Sequence, residues 1–276
     1  MLLYDWKKFL VGYLTFYAQM SNSNASSTPY NSVCTHHGFF QNKKSDLLES
    51  NYYLTQMKLS AQRNRIDDSS RNMYVNSQKT VMQNTIFSSM SLDDKQTLIQ
   101  YFSLIKYMLA EAKLIKNLKI GNCGESVSES VIDTLLKQLK EKKFESIQVI
   151  TLWTKDKEKN HSFVIYNAPL LKSQAISNKK LIRLLKNLKS ENDDPVILCD
   201  EFEHFHGQPR QWNSHFFGAE GHIYNQYDYA ELEVHDLSMP ILSPHLSARQ
   251  VDAIKEELLK ILDKHVSDEK YQTVVP

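Results

Sequence analysis

The chain has 276 residues and a formal charge of +1, with 33 Lys and Arg against 32 Asp and Glu. That length exceeds a peptide hormone or a disulfide mini-protein and suits one large domain, or a core domain with an appendage. The balanced charge leaves no electrostatic footprint for nucleic acid and no acidic tail.

In chain order, the first apolar run is FLVGYLTFYA at 9–18, behind Lys7 and Lys8. It is too short to cross a bilayer, which takes about 20 residues, so no stable membrane insertion is expected. Asp5, the polar Tyr and Thr within the run and the lack of a clean A-x-A site favour a docked amphipathic helix over a secretion signal. Residues 21–45 are rich in Ser, Asn and Thr and read as a polar linker. Leu47, Leu48, Tyr52, Leu54, Met57 and Ala61 recur at helical intervals and predict a helix over 46–64, followed by a polar, poorly periodic stretch to Ser89. Ser91, with Asp93 and Asp94 behind it, opens another helix whose apolar face is Leu98, Phe102, Ile105 and Leu109.

The second half changes character. Residues 121–124 (GNCG) form a tight turn, and Val127, Val131, Leu135 and Leu139 predict a helix after it. Residues 147–153 read as a strand, 155–160 as a charged hairpin-like segment and 161–166 as a second strand. A helix over 177–188 turns Leu181, Leu184, Leu185 and Leu188 inward. Asp194-Pro195 opens a third strand, 196–199, and a loop region runs from Asp200 to about Asn225. Ser247 and Gln250 make a capping box for a closing helix with Val251, Ile254, Leu258, Ile261 and His265 on one face. The order helix, strand, strand, helix, strand predicts an α+β class. Four regions follow: an N-terminal helix and linker (1–45), a helical region (46–114), an α+β core (115–240) and a C-terminal helix packed on the core (241–276).

Chemistry concentrates in the core. Cys123 falls where a turn hands over to a helix, and the first-turn N–H groups and helix dipole favour a thiolate there. Gly121 and Gly124 remove bulk beside the sulfur, while Glu125 complements the same helix end yet opposes a thiolate. His161 opens a strand, a rigid mount for a base within reach of the sulfur. Asp200 ends the next apolar strand, where a carboxylate can accept the second imidazole N–H and fix the tautomer. Nucleophile, base and orienting acid are all present.

GNCGE at 121–125, NHSFVI at 160–165 and VILCD at 196–200 resemble the papain-like, transglutaminase-like cysteine enzymes, above all bacterial effectors with a Cys, His, Asp triad in this order. The resemblance spans roughly residues 115–205. It implies a core in which the nucleophile's helix packs on a small antiparallel sheet, with helical additions at both ends. It also implies Cys123 as nucleophile, His161 as general base and Asp200 as orienting acid, in a protease, glutamine deamidase or transglutaminase acting on a protein or peptide, a host protein among them. An effector of this kind would be secreted and act in host cytoplasm. Where transglutaminase-like members often show Asp-Pro-Trp, this chain has Asp-Glu-Phe at 200–202, which leaves Asn167, Asp193 and Asp194 as alternatives to Asp200. Oxyanion donors would be the Cys123 N–H with the side chain of Asn122 or of Asn117, the latter resembling the Gln that papain-like enzymes place upstream. Trp212 and Phe216 would wall the substrate pocket. No cofactor is needed.

Other readings compete. Three cysteines without a close pair make neither a disulfide framework nor a CxxC motif, and point to a reducing compartment, cytoplasmic where no secretion applies. Cys34 in a polar loop and Cys199 in an apolar strand read as inert thiols. The cluster Cys199, Asp200, Glu201, Glu203, His204, His206, with Cys34, His36 and His37, offers metal-ligand types, but HExxH, a second cysteine pair and an EF-hand loop are all missing, so no metal is expected. The nucleophile-elbow, P-loop and dinucleotide glycine patterns are absent too. A non-enzymatic alternative keeps the same scaffold as a binding module with a silent thiol.

Overall fold

The computed structural model describes residues 46–118, 123–157, 160–190, 194–200, 205–211, 228–239 and 245–272. The N-terminal helix and linker expected over 1–45 lie outside these residues. The chain folds as two compact units, 1–122 with 243–276 and 123–242.

The first unit is helical in its described parts. Helix α1 (Asp46–Gln83) runs well past the end expected from periodicity. In its polar second half the hydroxyls find acceptors within the helix itself, bonding back to carbonyls one turn earlier: Ser69 to Arg65, Ser77 to Met73 and Thr80 to Asn76. Among its described side chains only Ser77 and Val81 are buried, a stripe too narrow to register as an apolar period. A 3-10 turn (Thr85–Ser89) leads to α2 (Leu92–Leu118). The Ser91 hydroxyl accepts from the Asp94 N–H at 3.1 Å and donates to its carboxylate at 2.6 Å, fixing the helix start. Leu98, Phe102, Ile105 and Leu109 are all buried. Polar bonds also tie α1 to α2, with Tyr107 Oη donating to Asp67 and Lys106 Nζ to Ser77. The last helix of the chain (Ala248–Gln272) starts on Ser247, which receives the Gln250 N–H while its own N–H donates to Gln250 Oε1. It belongs to this unit, where it packs against α2 and the 3-10 turn.

The second unit is mixed α and β. Helix α3 (Cys123–Glu141) precedes strands β1 (Ile147–Thr154), β2 (Asn160–Tyr166) and β3 (Gln174–Ala175), helix α4 (Asn178–Lys186), and strands β4 (Ile197–Asp200), β5 (Phe205–Gly207) and β6 (Tyr229–Asp236). With these assigned, the closing helix of the first unit is α5. The strands form one antiparallel sheet in the order β3-β6-β1-β2-β4-β5. The mixed α+β class and small antiparallel sheet expected from the element order are present. Three strands lie outside the expected elements: β3 precedes α4 and pairs with β6, β5 lies within the expected loop, and β6 becomes the direct neighbour of β1.

Side chains alternate across a strand. Ile150, Leu152, Phe163, Ile165, Leu198, Leu232 and Val234 therefore share one face and form an apolar core with Leu181 and Leu185 of α4. β1 and β2 are buried on both faces, as expected of strands inside a covered sheet. The register opposes Leu152 to His161, so His161 continues this apolar face, and Asp200 follows Leu198 onto it by the same alternation. Helix α3 packs against β2 and β4. No helix among the described residues is long and apolar enough to cross a membrane.

Candidate active site

Cys123 is the first residue of α3, where first-turn N–H groups and the dipole present positive potential. Its side chain is only 3% exposed, and Gly124 beside it is buried. The Cys123 thiol donates to Asn160 Oδ1 at 3.8 Å, and it acts on the His161 ring closely enough to raise that ring's pKa. Adjacent strand residues point to opposite faces. A sulfur that meets both Asn160 and His161 therefore lies at the opening end of β2, between the two side chains.

His161 Nε2 is 2.6 Å from Asp200 Oδ2, and both side chains are almost wholly buried. Taking each charge out of water costs several kcal/mol, recovered only when the pair is close and well oriented. Burial, the largest influence on the ring, disfavours its charged form. The charge and hydrogen bond of Asp200, followed by those of Cys123, outweigh that penalty and lift the His161 pKa from 6.5 to about 10. The pocket thus favours the imidazolium that forms when the ring takes a proton from the thiol. Phe163, one position along the same face, lies 6.0 Å from the imidazole between ring centroids and packs beside it.

The alternatives to Asp200 lie elsewhere. Asn167 occupies the turn after β2 with φ 59°, and its Nδ2 donates to the carbonyls of Asp194 and Pro195. The Asp194 carboxylate pairs with Lys143. Asp193 is outside the described residues. Of the other residues singled out from the sequence, Asn117 lies in α2 with its side chain outside the described set. Asn122, Trp212 and Phe216 are outside the described residues altogether. Residue type and local pattern assign Asn160 no role. Its signal was its place immediately before His161, which puts it on the same strand end but the opposite face.

A second cluster surrounds the closing end of β2. Tyr166 Oη is 2.5 Å from His206 Nε2, and Cys199 hydrogen-bonds the same hydroxyl. Burial, then the charge and hydrogen bond of Cys199, push the Tyr166 phenol well above its usual range. Among the described residues, no group of three or more His, Cys, Asp or Glu is arranged to hold a metal ion.

No protein-family model matches the chain, and neither a curated protein nor a solved structure matches it. The chemistry therefore rests on the site's own arrangement: a thiol at a helix N-terminus, an imidazole whose pKa that thiol raises, and a carboxylate bonded to Nε2 of that imidazole.

Proposed function

We propose that this protein is a thiol-dependent acyl-transfer enzyme acting on a protein or peptide carbonyl. Cys123 is the nucleophile, His161 the general base and Asp200 the acid that orients it. The observation that carries the reading is the buried 2.6 Å bond between His161 and Asp200, on a ring that the Cys123 thiol also engages. With Nε2 committed to Asp200, the ring takes the thiol proton on its other nitrogen, Nδ1. The sulfur attacks the carbonyl carbon, and the carbonyl π pair moves onto oxygen. When that pair returns, the bond to nitrogen breaks and the imidazolium gives its proton to the departing amine or ammonia. Water or an acceptor amine then resolves the thioester. Peptide cleavage, glutamine deamidation and transglutamination share these steps up to that last choice.

A papain-like, transglutaminase-like core is the fold this mechanism suits, and a nucleophile's helix against an antiparallel sheet supports it. On the same resemblance, we place the chain among bacterial effectors that act on a protein in host cytoplasm. One observation favours a second reading. Cys123 is 3% exposed, which suits a binding module of the same scaffold with a silent thiol.

Thiol alkylation by iodoacetamide against pH separates the two. An enzyme gives one thiol that reacts fast well below pH 8.5, is lost in Cys123→Ala and slows in His161→Ala. A Cys123 that titrates as an ordinary cysteine and ignores His161 leaves only the binding module.

A further inference from the structure

Acyl transfer needs a hydrogen-bond donor aimed at the oxygen that becomes negative, and that term is among the largest in such reactions. Of the described side chains, Asn160 meets the reacting sulfur directly, at 3.8 Å. It is half-buried, whereas Cys123, His161 and Asp200 are all buried. Asn160 is therefore the member of the group nearest to solvent, on the side from which an acyl group has to arrive.

The chemistry of a carboxamide fits that place. Its oxygen accepts from a thiol, as Asn160 Oδ1 does from Cys123. Turned over about its last side-chain bond, it sets its NH2 at nearly the same point. Once the thiol proton has moved to His161, an amide oxygen facing the sulfur is repelled and an amide N–H is attracted. A separation of 3.8 Å from the sulfur also leaves room for a carbon bonded to that sulfur and for the oxygen it carries. An aspartate here could only accept, and would oppose both the thiolate and the oxyanion.

We propose that Asn160 is a catalytic residue of this site. Its Nδ2–H donates to the oxyanion formed when Cys123 attacks a carbonyl, and the amide turns over as the sulfur loses its proton. This rests on the acyl-transfer reading of Cys123 and His161. In the step concerned, the S–C bond forms as the C=O π pair moves to oxygen and the thiol proton passes to His161. Asn160 holds the oxygen without giving up a proton, and the C=O re-forms as the leaving group departs.

Two probes isolate this role, because alkylation by iodoacetamide forms no oxyanion whereas acylation by 4-nitrophenyl acetate does. Both rates are measured against pH on the full chain for wild type, Asn160→Ala and Asn160→Asp, and the limiting rate constant of the ionised thiol is compared. In Asn160→Ala the acylation constant should fall by about 10²–10³, with the alkylation constant changed less than about three-fold. Asn160→Asp should lose acylation equally and shift the thiol's titration upward. Retained dependence of alkylation on His161 in both variants shows that the site still assembles. Equal losses with the two probes, or no loss with either, overturn the assignment of Asn160 while leaving the nucleophile intact. A wild-type Cys123 that alkylates no faster than an ordinary thiol overturns the acyl-transfer reading, and the assignment with it.

Discussion

The opening and closing ends of β2 each gather a thiol, an imidazole and a third protic group, and they are built to opposite effect. At the opening end the thiol begins a helix, the imidazole is buried and the third group is a buried carboxylate. At the closing end Cys199 lies inside β4, paired with Val164 on one side and His206 on the other. Its imidazole, His206, is exposed on the last strand of the sheet order, and its third group is a neutral phenol. Proximity of cysteine and histidine is common to both ends. What differs is the means of holding charge. A buried carboxylate favours the protonated form of the His161 ring and a helix N-terminus favours an anion beside it, while Tyr166 is pushed toward remaining neutral.

The largest expected contrast is in reactivity. His161→Ala should slow alkylation of Cys123 at pH 6.5 by roughly 10²-fold, the lower range for loss of a general base. His206→Ala should leave that rate within about two-fold. Iodoacetamide labelling with peptide mapping checks both, and equal effects would erase the distinction between the two ends.

Stability should follow the same order. Asp200→Ala strands a buried imidazole and should cost about 3–5 kcal/mol in urea unfolding. Tyr166→Phe removes the neutral hydrogen bonds of one hydroxyl, to His206 and Cys199, and should cost about 1–2 kcal/mol. If the phenylalanine variant were the weaker protein, the polar bond at the closing end would be the more important of the two.

The pH dependence sharpens the comparison further. The folded His161 pKa, at about 10, is above its unfolded value of 6.5. The folded chain therefore binds this proton more tightly than the unfolded one. The resulting stability is fully present below pH 6.5 and is lost as pH rises through about 10, at up to roughly 1.4 kcal/mol per pH unit between them. Urea midpoints across that window should decline in wild type and flatten in His161→Gln. A decline of the same slope in the variant would assign it to other groups.

The smallest effect is spectroscopic. Tyr166 should ionise above the usual phenol range because it is buried and Cys199 adds charge and a hydrogen bond. In an alkaline absorbance titration, Tyr166→Phe should remove a late component, and Cys199→Ala should bring that component to lower pH.

Much of this was legible in the sequence where the signal is local. Capping residues announced the starts of α2 and α5, because a Ser hydroxyl and its partner three residues on act within one turn. Leucine and valine spacing announced α3 and α4, each of which buries a continuous stripe. The extent of α1 was not legible, since a helix burying so few of its described side chains leaves no apolar period. β6 was missed although YAELEVHD alternates at 229–236, with Leu232 and Val234 buried and Glu231, Glu233 and His235 half-buried. The expected loop ends at about Asn225 and no element is assigned to 229–236, because charged residues at alternate positions dilute the apolar signal and only pairing with β1 makes the strand.

The site divides in the same way. Residue type and local context singled out Cys123, His161 and Asp200, because a helix start, a strand opening and a strand end are local features. The sequence left Asn167, Asp193 and Asp194 open as substitutes for Asp200. Antiparallel pairing of β2 with β4 decided that Asp200 meets the imidazole, while the turn after β2 ties Asn167 to the backbone of residues 194 and 195. Only the tertiary structure brought Asn160 to the sulfur and put the last helix into the first unit. Each depends on contacts between elements far apart in the chain. Local sequence sets where an element begins and which face it buries, and packing alone decides which side chains then meet.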